Sequence, residues 1–318
     1  LEPSRPPLPI VSRHYFGASD GARLAYYLAG NRDGPPLLIS AGLGGGIRGW
    51  SAVIGQLQEQ FRIIAWDYRG LYASAVPGAP PAPEELTIAR HARDLAELID
   101  HLDLHREERP ILAGWSMGVQ VMFELGRTRP HAARAMIALH GAPGRILSTA
   151  FDSERFSQMA PQIFDLLRTY GDALKGPARQ LARSRAFAVG FMRVAQRLGI
   201  MNEEADPDIF HDMAKDWLLL DLETYGHMFE QLGRHDATDV LPHLDIPTLV
   251  IAGGDDPFTP AHLSVEIARL LPDAKLVVLP GATHFGPLEF PDEIVDAILR
   301  FSVKRDLLTD GYERHIDL

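Results

Sequence analysis

Gly114-Trp115-Ser116-Met117-Gly118 is the stretch whose reading decides the fold of this chain. Pro110-Ile111-Leu112-Ala113 before it is a short apolar run that reads as a buried strand, and Val119 to Gly126 after it reads as the start of a helix. A serine with a glycine two residues away on each side, at a strand-to-helix turn, is the pattern of a nucleophile elbow. Such a turn is sharp. It strains the serine backbone and brings strand and helix close together, so residues without a Cβ suit the two glycine positions. The Ser116 hydroxyl then stands at the C-terminal edge of a sheet, with the Met117 N–H directed at whatever the serine attacks. The same five residues also suit an ordinary glycine-rich turn of an α/β protein, so the rest of the chain must decide.

Outward from the elbow, strand and helix patterns alternate. His14–Gly17 and Leu24–Leu28 read as a hairpin across Ala18-Ser19-Asp20-Gly21. Pro36–Ser40, Phe61–Trp66, Ala135–Leu139, Pro247–Ala252 and Lys275–Leu279 are continuous apolar runs. Helical patterns lie near Trp50–Gln60, after the cap residue Thr87, at Ala261–Leu271 and at Asp292–Phe301. Strands that are apolar throughout, separated by helices, imply an α/β fold with a parallel sheet covered on both faces. From about Ile146 to Leu244 the strands stop, and helical patterns occupy Ile163–Tyr170, Ala178–Leu198, Ile209–Leu220 and Thr224–Gly233. This predicts a core made of residues 1–146 and 245–318, with 147–244 inserted as a helical cap.

Composition narrows the chemistry. The 318 residues are 46% hydrophobic and 23% charged, enough for a sizeable core. A net charge of −11 argues against non-specific nucleic-acid binding and against an anionic membrane surface. The absence of cysteine excludes disulfides and thiolate catalysis. No apolar run reaches the ~18–20 residues that span a bilayer. Leu1–Pro7 lacks a secretory pattern, so a cytoplasmic location is the default expectation, although a start without Met leaves room for residues removed upstream. Nothing in the sequence sets the oligomeric state.

A serine nucleophile needs a base and a group that orients it. His284, in Pro280-Gly281-Ala282-Thr283-His284 directly after a strand, falls at the same sheet edge as Ser116. His140 also ends a strand and is its rival. The acid is expected after strand 248–252, in Gly253-Gly254-Asp255-Asp256-Pro257, where spacing does not separate Asp255 from Asp256. The chain order serine, acid, histidine belongs to one hydrolase fold and differs from both familiar protease orders. A histidine base must be neutral, so activity is expected to fall below about pH 6. An oxyanion would find one donor in Met117 N–H and another in the loop Ala41-Gly42-Leu43-Gly44-Gly45-Gly46. That loop has a second reading: Gly44–Gly49 fits the dinucleotide G-x-G-x-x-G, with Asp67 placed as a ribose-binding acid. No G-K-[ST] and no H-E-x-x-H occurs, so neither a metal nor another cofactor is expected.

Together these motifs resemble the α/β-hydrolase superfamily over nearly the full chain. Asp67-Tyr68-Arg69-Gly70 is similar to its D-x-R-G, Gly253–Pro260 to its G-x-x-D-x-x-x-P, and Gly281-Ala282-Thr283-His284 to its G-x-x-H. The resemblance implies an eight-stranded, mostly parallel sheet with helices on both faces and an inserted helical cap. It implies a catalytic set of Ser116, Asp256 and His284, with Leu43 and Met117 as oxyanion donors, and cleavage of a small-molecule ester without a cofactor. A C–C bond hydrolase, a lactonase and a non-catalytic binding member are alternatives with the same residues. Two departures stand out. Ala41-Gly42 replaces the usual H-G, which loses a side chain that braces the loop. Gly70-Leu71-Tyr72-Ala73-Ser74 puts Tyr72 where glycine is usual. Trp115, Phe187, Phe191, Met192 and Trp217 are candidate substrate-binding residues for an apolar acyl group, and Met159, Phe164, Met213 and Met228 are further apolar cap residues. Arg69 reads as structural.

Overall fold

The computed structural model describes residues 11–105, 108–146, 184–217 and 220–308. The strands are β1 (Ser12–Gly17), β2 (Arg23–Gly30), β3 (Pro36–Ser40), β4 (Arg62–Trp66), β5 (Ile111–Trp115), β6 (Ala135–Leu139), β7 (Thr248–Gly253) and β8 (Ala274–Leu279). They form one sheet in the order β1-β2-β4-β3-β5-β6-β7-β8. The β1–β2 hairpin closes as read from Asp20-Gly21: Ala18 N–H donates to Ala22 O at 2.8 Å, and Gly21 takes φ 90°. β2 runs antiparallel to β1 and β4, and every later pairing is parallel. Expectation and structure agree on an eight-stranded, mostly parallel sheet.

The apolar runs explain themselves in the packing. Every residue of β3, β5, β6 and β7 is buried, because side chains alternate between two covered faces. Leu112 joins the cluster that holds Leu95 and Phe123, whereas its neighbours Ile111 and Ala113 join the one that holds Leu57 and Ile298. The helices that supply these residues are α1 (Ser51–Leu57), α2 (Ile88–His101), α3 (Met117–Thr128) and, after the inserted segment, α7 (Ala261–Leu270), α8 (Gly286–Glu289) and α9 (Pro291–Lys304). Because β4 to β8 share one direction, the loops after β3, β5, β6, β7 and β8 open at one edge.

Within the inserted segment, the described helices are α4 (Arg185–Arg197), α5 (Pro207–Trp217) and α6 (Leu222–Arg234). The expected helix at Ile163–Tyr170 and the residues Met159 and Phe164 lie outside the described residues. Of the helix read over Ala178–Leu198, residues 178–183 lie outside the described residues, and the described helix runs from Arg185. Ser184 is its N-cap, with an extended backbone and an Oγ that accepts from Phe187 N–H at 3.4 Å. Asp221 caps α6 in the same way, and the helix starts at Leu222, two residues before the start read from the apolar pattern. α5 lies against the turn Ile47–Trp50, and α6 against α2 and the turn Pro83–Leu86. Met192, Phe210 and Met213 belong to the buried cluster of Trp50 and Trp115, and Met228 to that of Leu86. These buried residues therefore pack as extensions of the sheet's own two cores.

Arg69 is structural, as read. It donates to Asp94 through Nε (3.0 Å) and Nη2 (2.7 Å), and pairs with Asp20 (3.0 Å) and Glu85 (3.3 Å). Asp94 is fully buried and also receives Arg90. The network ties the turn after β4 to α2 and to the hairpin, and charges this deeply buried persist only when paired.

Candidate active site

The elbow glycines fit because nothing larger would. A Cβ at Gly118 would lie 2.1 Å from Ser40 O, and one at Gly114 would lie 2.5 Å from the Gly118 carbonyl carbon. Strand and helix backbones cross there in contact. Ser116 sits between them at φ 55°, ψ −114°, and its N–H donates to Leu139 O at 3.0 Å. A serine held in this region is strained, and the strain turns its hydroxyl out of the strand direction. α3 begins at the very next residue rather than at Val119. Met117, as the first helical residue, therefore has an N–H with no intrahelical acceptor.

His284 Nε2 lies 2.8 Å from Ser116 Oγ, and His284 Nδ1 lies 2.9 Å from Asp256 Oδ2. The parallel register delivers these residues from three loops at one sheet edge, after β5, β7 and β8. The structure also separates the two aspartates that spacing left open: Asp255 is exposed and Asp256 is 4% exposed. Asp256 Oδ1 accepts from Phe258 N–H (2.9 Å) and Thr259 N–H (2.8 Å), a tight Asx-type turn, and Oδ2 accepts from Thr259 Oγ1 (2.7 Å). Burial alone would raise the Asp256 carboxyl. The charge of His284, the hydrogen bonds from His140 and His284, and the charge of His140 outweigh that and hold it well below the usual carboxylate range. With Asp256 ionised, His284 carries its proton on Nδ1 and leaves Nε2 as an acceptor facing the serine.

His140, the rival base, approaches the same Asp256 oxygen as His284: its Nδ1 is 3.5 Å from Asp256 Oδ2, and its ring is fully buried. It does not face Ser116. Two other contributors escaped the sequence reading. Thr259 grips Asp256. Glu289, 5% exposed, accepts from Thr283 N–H (2.8 Å), Thr283 Oγ1 (2.6 Å) and Asn202 N–H (2.8 Å), which fastens the loop of His284 to the inserted segment. His140 was visible as a strand-end histidine, and Thr259 as the third residue of an Asp-initiated turn. Glu289 carried no local signal, because its bond to Asn202 joins residues 87 positions apart in the chain.

The apolar candidates divide. The Trp115 indole is 3% exposed, fills the space over Gly45 and Gly49, and donates to His284 O at 2.9 Å. Trp217 lies directly on Gly44, where a Cβ would meet its Nε1 at 1.9 Å. Met192 is buried, whereas Phe187 and Phe191 stand 45% and 56% exposed on α4.

A family model described as alpha/beta hydrolase fold matches residues 35–291. The chain belongs to the alpha/beta hydrolase fold family. Similar members of the family include 3-oxoadipate enol-lactonase 2 of Acinetobacter baylyi, 26% identical over 293 residues that make up 87% of this chain and 93% of that protein. Among solved structures, a hydrolase from Pseudomonas aeruginosa PA01 matches with a TM-score of 0.67 and 27% identity, over 91% of this chain and 98% of that one. A thermophilic esterase from Thermogutta terrifontis matches with a TM-score of 0.67 and 25% identity, over 92% and 99%.

As a member of this family the chain keeps the D-x-R-G aspartate, and the structure shows its work. Asp67 is 3% exposed, and its Oδ2 accepts from Tyr27 Oη (2.7 Å) and Ala73 N–H (3.0 Å). A ribose-binding acid would have to face a ligand, and this one faces the turn after β4. Burial pushes its carboxyl up to about 6, against those hydrogen bonds. The folded state thus binds this proton more tightly than the unfolded chain. The associated stability is fully present below about pH 4 and lost as pH rises through about 6, an effect of about 3 kcal/mol. Asp67→Asn keeps an acceptor for both donors and removes the charge. Thermal melts should show wild type losing stability relative to Asp67→Asn between pH 4 and pH 6. Parallel curves would assign that proton to another group.

Among the described residues no helix is long and apolar enough to cross a membrane.

Proposed function

We propose that the protein is a serine hydrolase that cleaves small-molecule carboxylic esters through an acyl-enzyme on Ser116. The observation that carries this reading is the single histidine poised between a strained serine hydroxyl and a buried, ionised aspartate. In the forward step His284 Nε2 takes the Ser116 proton as Oγ attacks the ester carbonyl. Asp256 stabilises the imidazolium that forms. The oxyanion is received by the N–H groups of Met117 and Leu43, each worth roughly 3 kcal/mol to the transition state. His284 then protonates the leaving alcohol, and in the second half it draws a proton from water as that water attacks the acyl carbonyl.

In this reading residues 147–244 act as a cap over the site, and the core comprises residues 1–146 and 245–318. Among the described cap residues, Trp217 lies against the glycine-rich loop, where it would meet an acyl group. Phe187 and Phe191, exposed on α4, would serve only the outer part of such a pocket, whereas Met192 is buried with Trp115. The same machinery would open a lactone, and the similarity to an enol-lactonase favours cyclic esters as the second reading.

The test is hydrolysis of p-nitrophenyl esters from acetate to palmitate, with γ- and δ-lactones alongside. Turnover that depends on Ser116 is expected, and the preferred chain length measures the space beneath the cap. Faster opening of lactones than of any linear ester would shift the assignment to the second reading. Inertness toward both, with only thermal stabilisation by the ligands, would replace catalysis by binding.

A further inference from the structure

Loop 41–46 holds four glycines in six residues, and Gly44 and Gly46 take positive φ angles of 83° and 52°. Peptide planes in such a loop rotate at little cost. Yet four of its carbonyls are held, Gly45 O among them by Gly49 N–H at 3.1 Å. Ala41 O accepts from Tyr68 Oη at 2.8 Å. Gly42 O accepts from Gly45 N–H at 2.9 Å, and Gly44 O accepts from Tyr72 Oη. The Gly42 bond matters most for the neighbouring N–H. In a trans peptide the Leu43 N–H points opposite to the Gly42 carbonyl, so fixing that carbonyl fixes the N–H. Gly42 itself lies alongside the elbow, since a Cβ there would be 3.2 Å from Ser116 Cβ.

Both tyrosines come from the turn after β4, which is anchored by several side-chain bonds. Asp67 receives Tyr27 and Ala73, Ser74 Oγ donates to Asp67 O at 2.9 Å, and Arg69 is locked by Asp94. Tyr72 is the unusual member. It is a non-glycine residue at φ 46°, a conformation that disfavours any side chain. A tyrosine kept in that conformation needs compensating contacts: its ring packs on the core and beside Gly46, and its hydroxyl donates to Gly44 O. Burial, together with the negative charges of Asp67 and Asp216, raises the Tyr72 phenol well above its ordinary value, so it remains a donor throughout. The Trp217 indole covers Gly44 as well, so this peptide is held by a hydroxyl and by an aromatic ring.

The geometry points to Tyr72 as a positioning residue: its hydroxyl locks the glycine-rich loop so that the Leu43 N–H stays aimed at the carbonyl that Ser116 attacks. Ala41, before Gly42, has no polar side chain that could brace the loop, and Tyr72 supplies a brace from across the site. The inference rests on the ester-hydrolase reading for its catalytic consequence, but not for its structural one.

The test uses Tyr72→Phe, which keeps the ring and removes the hydroxyl. Its kcat on p-nitrophenyl butyrate should fall roughly 10- to 100-fold, because a mis-aimed oxyanion donor weakens the transition state and not the bound ester. KM should change less than about twofold, and the pH profile should keep its shape. The inhibition constant of butylboronic acid, whose serine adduct is tetrahedral and anionic, should rise by the same factor as kcat falls. Amide hydrogen exchange in peptides covering residues 41–50 should accelerate in the variant. Tyr72→Gly, which relieves the positive φ, should be as slow as Tyr72→Phe, so that backbone strain is not the source of the rate. Wild-type kcat and wild-type boronate affinity in Tyr72→Phe would overturn the proposal. So would unchanged exchange in the loop, and that readout stands even if wild type hydrolyses no ester and the functional reading alone has failed.

Discussion

Replacing Ser116 by alanine is expected to lower kcat/KM for p-nitrophenyl esters by roughly 10⁶, with the folded structure intact. The magnitude follows from the proposed mechanism. Without Oγ no acyl-enzyme forms, and only direct attack by water aided by the oxyanion donors remains. The fold should survive because the hydroxyl has one protein partner, His284 Nε2. What holds the elbow is backbone: Ser116 N–H on Leu139 O, and the contact of Gly118 with Ser40 O. Alanine retains the Cβ and therefore the strain at φ 55°, so Tm should match that of wild type. Steady-state kinetics together with a thermal melt check both halves. An alanine variant that keeps wild-type turnover would remove Ser116 from the mechanism and leave the ester reading without a nucleophile.

Replacing Asp256 by asparagine should cost about 10⁴ in kcat/KM. The carboxylate accepts on both oxygens, from two backbone N–H groups, from Thr259 Oγ1 and from His284 Nδ1. An asparagine can satisfy the turn with its single oxygen, and its NH₂ then faces His284. The imidazole must present an acceptor to that NH₂, so its proton moves to Nε2 and the serine loses its base. The stability change carries its own sign. Because the Asp256 carboxyl is held below the ordinary carboxylate range, its contribution is present above about pH 4 and lost on acidification. The asparagine variant should therefore show a weaker acid-induced loss of stability than wild type, as well as its kinetic defect. Wild-type activity in Asp256→Asn would mean that another group orients His284.

Much of this architecture was legible in the residues. The elbow glycines announced a backbone crossing, and the crossing is there, at distances that leave no room for a Cβ. Continuous apolar runs announced strands buried on both faces, because only a parallel sheet covered by helices needs them. Helix starts were read least well. At Leu222 a short polar side chain, Asp221, outbids the apolar periodicity by satisfying a free N–H.

The sequence by itself determined the sheet, the turn that carries Ser116, and the strand-end loops that carry the acid and the histidine. These are local consequences of hydrophobic period and turn chemistry. Tertiary structure alone decided which aspartate meets His284, that His284 and not His140 meets Ser116, and that Tyr68 and Tyr72 reach across to hold the glycine-rich loop. Each of those outcomes is a meeting of side chains from different strand-end loops. Only the register of parallel strands and the exclusion of water between packed elements fix such a meeting, and neither is written in any single stretch of the chain.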